Sequence, residues 1–335
     1  STVLNNAIYK INSASSLTVV SYSKEGVSLK WNAASGATGY EVRKQDGSNW
    51  VTVLTTDTNT AVVPIEPGVK YGFRVTSFVT AHSKNYYGKD TATKSVTYTI
   101  PPTSNLNIVS TGKESASLTW KAATSSIDGY EIQKKEGSNW VKVATATEAK
   151  ATVPIVPGVN YEFRVLAFVN MNGRVYYGSP TAEKETKYAF YNATTLKAGT
   201  ATKDGVSLSW NAAKGVDGYE IQRQNGSAWV KLIESTTNSA FAPMVPNTGY
   251  TLRVVAYIDA NGVRYYSNPT GTVSSKYTIA SASGLTAASV NKDSAALTWN
   301  SAADAKAYEL QYYNGSSWVT YETVSGTSAN VSIVP

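Results

Sequence analysis

"GYEIQKKEGSNWVKV", residues 129–143, decides the fold. Tyr130 and Ile132 alternate with Glu131 and Gln133, and Val141 and Val143 alternate with Trp140 and Lys142. Period-two alternation on both sides of a short polar break is the pattern of two half-buried strands. The break, "EGSN", supplies a glycine for positive φ, so the two strands form a hairpin. The phrase returns as "GYEVRKQDGSNWVTV" at 39–53, "GYEIQRQNGSAWVKL" at 218–232 and "AYELQYYNGSSWVTY" at 307–321.

The recurrence is strict. Trp31, Trp120, Trp210 and Trp299 each end an "SLxW"-like phrase and lie 89, 90 and 89 residues apart. Trp50, Trp140, Trp229 and Trp318 recur at 90, 89 and 89, which accounts for all 8 tryptophans. Tyr71, Tyr161 and Tyr250 mark a third phrase, "GVKYGFRV", "GVNYEFRV" and "NTGYTLRV". Four copies of one unit are present, each the size of a small domain. In the second copy strands are expected at 115–120, 129–133, 140–145, 150–156, 161–169 and 183–190. "MNGRVYY" and "ANGVRYY" mark a second hairpin late in the repeat. No amphipathic helix interrupts the pattern. Short strands at this spacing predict an all-β chain of antiparallel β-sandwiches.

With these phrases in view, the chain resembles the fibronectin type III family over nearly its whole length. The resemblance rests on Trp in strand B, "GYEI" in strand C, Tyr in "PGVxYxFRVxAF" in strand F and "YYGSP" before strand G. It implies immunoglobulin-like sandwiches in tandem, which the short joints between copies would set end to end as a rod. It also implies that Trp31, Trp120, Trp210 and Trp299 are core residues, and that Tyr71, Tyr161 and Tyr250 make a corner hydrogen bond. The overall flavour is similar to modules repeated in surface proteins of Gram-positive, clostridia-like bacteria. No Arg-Gly-Asp motif is present.

Module boundaries follow from phase. Tyr9, Tyr98, Tyr188 and Tyr277 precede Leu17, Leu106, Leu196 and Leu285 at one fixed spacing. Residues 1–11 therefore read as the terminal strand of a preceding, incomplete module, and the chain as a mature or excised piece. Modules are expected at 14–101, 103–191 and 193–280, with the N-terminal part of a fourth, lacking strands F and G, at 282–335. The joints "TIPPTSNL", "AFYNATTL" and "TIASASGL" are too short for free linkers, and Pro101 and Pro102 stiffen the first.

Composition narrows the chemistry. No apolar run is long enough to span a membrane. Cysteine is absent, which removes disulfides and thiolate metal sites. A Cys-free extracellular β protein points to bacteria. The +7 net charge is spread along the chain, so no nucleic-acid arm is formed. His82, the single histidine, has no repeated acidic or nucleophilic neighbours. Neither a metal-ligand cluster nor a phosphate or nucleophile motif occurs, and no catalytic residue, cofactor or metal is expected. Glu41, Glu131, Glu220 and Glu309 follow the strand-C tyrosine and face outward by alternation. Arg74, Arg164 and Arg253 do the same on strand F, so a direct cross-strand Glu–Arg pair is expected.

The candidate ligand or assembly surface is aromatic. By alternation Trp50, Trp140, Trp229 and Trp318 lie on the outer face of the sheet, against a neighbouring Lys or Arg stem. One tyrosine of each pair in 86–87, 176–177 and 265–266 must also face outward, which brings in Tyr87, Tyr177 and Tyr266. The simplest reading is packing across the hairpin. The expected function is a non-catalytic extracellular spacer array at a bacterial cell surface, displaying or separating domains, with weak adhesion. The alternatives are a module that binds a cell-wall polymer or polysaccharide, using these rings as sugar platforms, and a filament subunit. In the latter, other copies of the chain would complete the end modules by strand addition.

Overall fold

The computed structural model describes residues 9–124, 127–171 and 173–333, and none of them is helical. The chain divides into two compact units, Ser1–Tyr188 and Ala189–Pro335.

The first unit holds two copies of the repeat. Copy 1 comprises β1 (Ser15–Ser23), β2 (Gly26–Asn32), β3 (Gly39–Asp46), β4 (Asn49–Thr56), β5 (Thr60–Val63), β6 (Lys70–Ala81), β7 (Lys84–Asp90) and β8 (Lys94–Thr97). Copy 2 repeats the order as β9 (Ser104–Thr111), β10 (Ser115–Lys121), β11 (Gly129–Glu136), β12 (Asn139–Ala146), β13 (Lys150–Pro154), β14 (Tyr161–Met171), β15 (Arg174–Tyr177) and β16 (Lys184–Thr186).

The second unit holds the rest. Copy 3 comprises β17 (Thr194–Ala198), β18 (Gly205–Asn211), β19 (Gly218–Asn225), β20 (Ala228–Ser235), β21 (Ser239–Pro243), β22 (Gly249–Ala260), β23 (Val263–Tyr266) and β24 (Val273–Lys276). Copy 4 contributes β25 (Ser283–Val290), β26 (Ser294–Asn300), β27 (Tyr308–Tyr313), β28 (Trp318–Val324) and β29 (Ser328–Ser332).

Each of the first three copies is a sandwich of two antiparallel sheets. In copy 1 a three-stranded sheet β1-β2-β5 faces a sheet ordered β4-β3-β6-β7, in which β8 also pairs with β6. β7 covers the C-terminal half of the long strand β6 and β8 the N-terminal half. Copies 2 and 3 reproduce both sheets, and copy 4 has β25-β26-β29 with the two-stranded β27-β28. The strand expected at 1–11 lies outside the described residues except for Tyr9, Lys10 and Ile11, which are not in a strand. Pro335 also lies outside them.

Two differences from the expected strands have local causes. The first strand of copy 2, β9, was not anticipated because "SNLNIVST" is polar and its alternation is interrupted by register shifts against β10. The strand expected at 183–190 shrinks to Lys184–Thr186, because only those residues pair with β14.

The cores follow the alternation. Val27, Leu29 and Trp31 from one sheet meet Tyr40, Val42, Phe73 and Val75 from the other, all buried. Val206, Leu208 and Trp210 meet Tyr219, Ile221, Leu252 and Val254 likewise. Fully burying one such aliphatic side chain contributes about 1.5–3 kcal/mol, so these positions dominate stability. Trp31, Trp120, Trp210 and Trp299 are indeed core, each edge-on to its strand-C tyrosine at 5.2–5.5 Å between ring centroids. Their indole N–H groups are buried without a partner in all four copies. A large apolar burial outweighs that unmade bond in each copy.

Tyrosine hydroxyls close the turns. Tyr40, Tyr130, Tyr219 and Tyr308 accept the backbone N–H of Ala34, Ala123, Ala213 and Ala302 at 2.8–3.1 Å. The strand-F tyrosines make the expected corner bond: Tyr71, Tyr161 and Tyr250 accept from Glu66, Val156 and Val245 at 2.9–3.1 Å. At the hairpin that fixes the repeat, Gly47, Gly137 and Gly226 have φ of 58–61°. Each is the first residue of a two-residue loop, where a left-handed φ matches the twist of the flanking strands.

Candidate functional site

The repeated outward residues converge on one face of the larger sheet. Its central strands are β3 and β6 in copy 1, β11 and β14 in copy 2, and β19 and β22 in copy 3. Register places Arg43 opposite Arg74, Gln133 opposite Arg164 and Gln222 opposite Arg253. The glutamates stand two residues away, opposite Thr76, Leu166 and Val255. The direct Glu–Arg strand pair is therefore not made. Counting alternation gave the correct face but not the register, and the two charges miss each other by one step along the strand.

The arginines instead stack on the tryptophans. Arg74 Cζ lies 4.1 Å from the Trp50 ring centroid, Arg164 lies 4.3 Å from Trp140, and Arg253 lies 4.1 Å from Trp229. Lys135 Nζ sits 5.5 Å from the Trp140 centroid as well. Each of these three indoles is half-buried, with one face taken by a guanidinium. Such contacts contribute about 0.5–1 kcal/mol at exposed sites. Trp318 differs: it is 67% exposed and lies 5.6 Å from Tyr313, which stands where the other copies have Gln45, Lys135 and Gln224.

The glutamates are held by tyrosine. Tyr87, Tyr177 and Tyr266 donate to Glu41, Glu131 and Glu220 at 2.7, 2.7 and 3.0 Å. In copies 2 and 3 a glutamine joins carboxylate to guanidinium. Arg164 Nε donates to Gln133 Oε1 at 2.7 Å, and Gln133 Nε2 donates to Glu131 at 2.7 Å. Arg253, Gln222 and Glu220 repeat both distances. Glu131 and Glu220 are only 6% exposed, although they point away from the core. Leu166 or Val255 beside them and the tyrosine ring above exclude water.

Copy 1 is wired differently. Arg43 itself donates to Glu41 at 3.2 Å, and Thr52 adds a bond of 2.9 Å. Asp90 lies between the two facing guanidinium groups, 3.9 Å from Arg43 and 3.6 Å from Arg74, and accepts from Thr76. Burial pushes the Glu41 carboxyl up, but hydrogen bonds from Tyr87, Thr52 and Arg43 outweigh it and hold it below the ordinary carboxylate range. The hydrogen bond to Glu41 raises the Tyr87 phenol, and that to Glu131 raises Tyr177. For Tyr266 burial is the larger cause and Glu220 the second.

The glutamine relay and the Tyr–Glu bond were missed from sequence. The available signal was the fixed "EIQ" spacing, in which Glu and Gln share a face.

Other features are simpler. His82 is exposed, with φ of 48°, in the turn between β6 and β7. Among the described residues no group of three or more His, Asp or Glu could hold a metal ion. No helix among the described residues is long and apolar enough to cross a membrane. In copy 4 a groove of about 990 Å³ runs along the inward face of β27, lined by Leu297, Trp299, Tyr308, Leu310, Tyr321 and Ile333.

Similarity to known proteins agrees with the geometry. A family model described as "Fibronectin type III domain" matches residues 101–183. Endoglucanase B of Cellulomonas fimi is 29% identical over 278 residues, covering 73% of this chain and 26% of that protein. Kelch domain-containing protein SSO1033 of Saccharolobus solfataricus is 23% identical over 263 residues, covering 74% of this chain and 34% of its own length. The chain thus spans a quarter to a third of the curated relatives it matches. Among solved structures, the FN1-FN3 domains of chicken CNTN1 match over 79% of this chain and 99% of their own, at 15% identity and a TM-score of 0.25. The family match falls on copy 2, whose strand order, core tryptophan and corner tyrosine recur in copies 1 and 3. The chain thus carries a fibronectin type III module in copy 2 and repeats of its architecture before and after it in sequence.

Proposed function

We propose that this array is a non-catalytic, extracellular spacer that holds other domains apart at a bacterial surface. One observation carries the reading: the repeated outward groups satisfy one another. In copies 1 to 3 the arginine covers the tryptophan, and the tyrosine caps the glutamate. A face whose charges and rings are already paired has little left to offer a ligand. The Cellulomonas fimi relative, a longer protein that carries the name of a glucan-cleaving enzyme, supports an extracellular setting for such modules.

A second reading rests on copy 4, where Trp318 and Tyr313 form an exposed aromatic pair beside Glu309 and Gln311. Rings of this kind stack on sugars, so copy 4 is where binding of a wall polymer or polysaccharide would occur. Co-sedimentation with purified cell walls and insoluble glucans, at low and high salt, separates the two readings. The spacer predicts no pelleting of the folded protein in either condition. Salt-resistant pelleting that Trp318→Ala abolishes, while Trp140→Ala leaves it intact, would replace the spacer by a glycan-binding module.

A further inference from the structure

We propose that Asn314 is a spontaneous deamidation site, with the Gly315 backbone nitrogen as nucleophile and its own hairpin loop as the catalyst. The side-chain carbonyl oxygen of Asn314 accepts three hydrogen bonds: from Ser316 N at 3.0 Å, Ser316 Oγ at 2.9 Å and Ser317 N at 2.9 Å. These donors polarise the carbonyl carbon of the side-chain amide. They also sit where an oxyanion would form on attack, within the donor range that stabilises such intermediates. Among the described residues nothing accepts from the Gly315 N–H. Gly315 has φ of 98°, and apart from its two chain neighbours no atom lies within 4 Å of where a Cβ would lie, so no other segment crowds the loop. Asn314 through Ser317 are all exposed, which admits water.

The step balances without any other reagent. The Gly315 nitrogen loses its proton to water or hydroxide and bonds to the Asn314 side-chain carbonyl carbon. The amide C–N bond breaks, and the nitrogen leaves as ammonia. The resulting cyclic imide is opened by water at either carbonyl, giving aspartate or isoaspartate. No oxidant is needed. The product carries a carboxylate where copies 1 and 2 have Asp46 and Glu136, so the loop acquires with age the charge that two other copies encode.

The molecule supplies its own controls. Asn291 has the same three-donor cradle, from Asp293 N, Ser294 N and Ser294 Oγ, but is followed by Lys292, whose side chain obstructs ring closure. Asn225 is followed by Gly226 but stands in the β19–β20 ladder, paired with Ala228. Asn261 precedes Gly262 but sits at φ of 52° in a tight two-residue loop. Of these four, Asn314 alone combines a following glycine with the cradle, its own N–H being tied across the turn to the Ser317 carbonyl at 3.1 Å.

The test is peptide mapping by mass spectrometry after the intact chain is aged at neutral and at mildly alkaline pH. Expected is aspartate and isoaspartate at Asn314, faster at the higher pH and several-fold ahead of Asn225, Asn261 and Asn291. Gly315→Ala should suppress it, and Ser316→Ala should slow it while leaving Asn225 unchanged. Equal conversion at Asn225 and Asn314 would overturn the proposal, because glycine alone would then set the rate. So would a Ser316→Ala rate equal to that of the unaltered chain. Circular dichroism of both variants separates altered chemistry from unfolding.

Discussion

Changing Tyr177 to Phe removes one oxygen and tests whether the Tyr–Glu bond stabilises the sheet. Glu131, whose side chain is 8% exposed, would keep Gln133 at 2.7 Å and Lys142 at 4.0 Å. A hydrogen bond to a charged group contributes about 1.5–3 kcal/mol, and an uncompensated buried carboxylate adds to the loss. Tyr177 is itself 47% exposed, so water reaches the vacated position. The expected cost is therefore about 1.5 kcal/mol, the low end of that range. Tyr87→Phe in copy 1 should cost less, under about 1 kcal/mol, because Glu41 retains Thr52 and Arg43.

Hydrogen exchange on the whole chain reads each copy separately, which a multi-module melting curve does not. Peptides covering β11 should exchange about tenfold faster in Tyr177→Phe, since 1.4 kcal/mol is a factor of ten. Those covering β3 in Tyr87→Phe should change less. Adding Glu131→Gln to Tyr177→Phe should recover part of the loss, as a neutral acceptor tolerates burial better. The sign with pH is also fixed. Tyr177 is raised in the folded state, so its stabilisation is complete below the ordinary tyrosine range and lost as pH rises through the folded value. The difference between wild type and variant should vanish there. Equal costs in the two copies, or a larger one in copy 1, would refute the reasoning.

Other expectations follow from the same face and core. Glu41 is lowered in the folded state, so its contribution is complete above the ordinary glutamate range and lost as pH falls through the folded value; acid titration of β3 exchange, with Glu41→Gln as the insensitive control, checks this. Arg164→Ala uncovers Trp140 and should cost about 0.5–1 kcal/mol, with added quenching of indole fluorescence by acrylamide. Tyr161→Phe removes the corner bond to Val156 and should cost about 1 kcal/mol, read as faster exchange in β14. Trp120→Ala empties the core of copy 2 at about 3–5 kcal/mol, and exchange protection should collapse there while copy 3 stays intact.

Most of the fold was legible because alternation, glycine turns and the repeat agree. Period two fixes which residues share a face, and four copies of one phrase leave little room for another reading. Partnership was less legible. Alternation cannot say which outward residue of β6 faces which of β3, because that depends on register, and register is set by the turns at the far end of the strands. Glu131 therefore meets Leu166 rather than Arg164, and Gln133 takes the guanidinium. The burial of Glu131 was hidden for the same reason: its cover comes from Tyr177, 46 residues away. Strand β9 was hidden because its pairing with β10 slips twice, so its polar residues never fall into a clean alternation.

The copies also explain one another. At the position facing the strand-F arginine, copy 1 has Arg43 where copies 2 and 3 have Gln133 and Gln222. Two guanidinium groups directly opposite one another would repel. The same copy has Asp90 where the others have Pro180 and Pro269, and Asp90 lies 3.9 and 3.6 Å from the two arginines. The exchange also alters the backbone. Proline cannot donate to the ladder, whereas Asp90 pairs with Thr76, and β7 runs for 7 residues against 4 in β15 and β23. A change of charge on β3 is thus answered by a carboxylate and a longer strand on the far side of β6, within one module. Because this charge exchange is balanced within one module, exchanging Gln133 for Arg alone should destabilise copy 2, and adding Pro180→Asp should restore it. Neither change should be felt in copy 3.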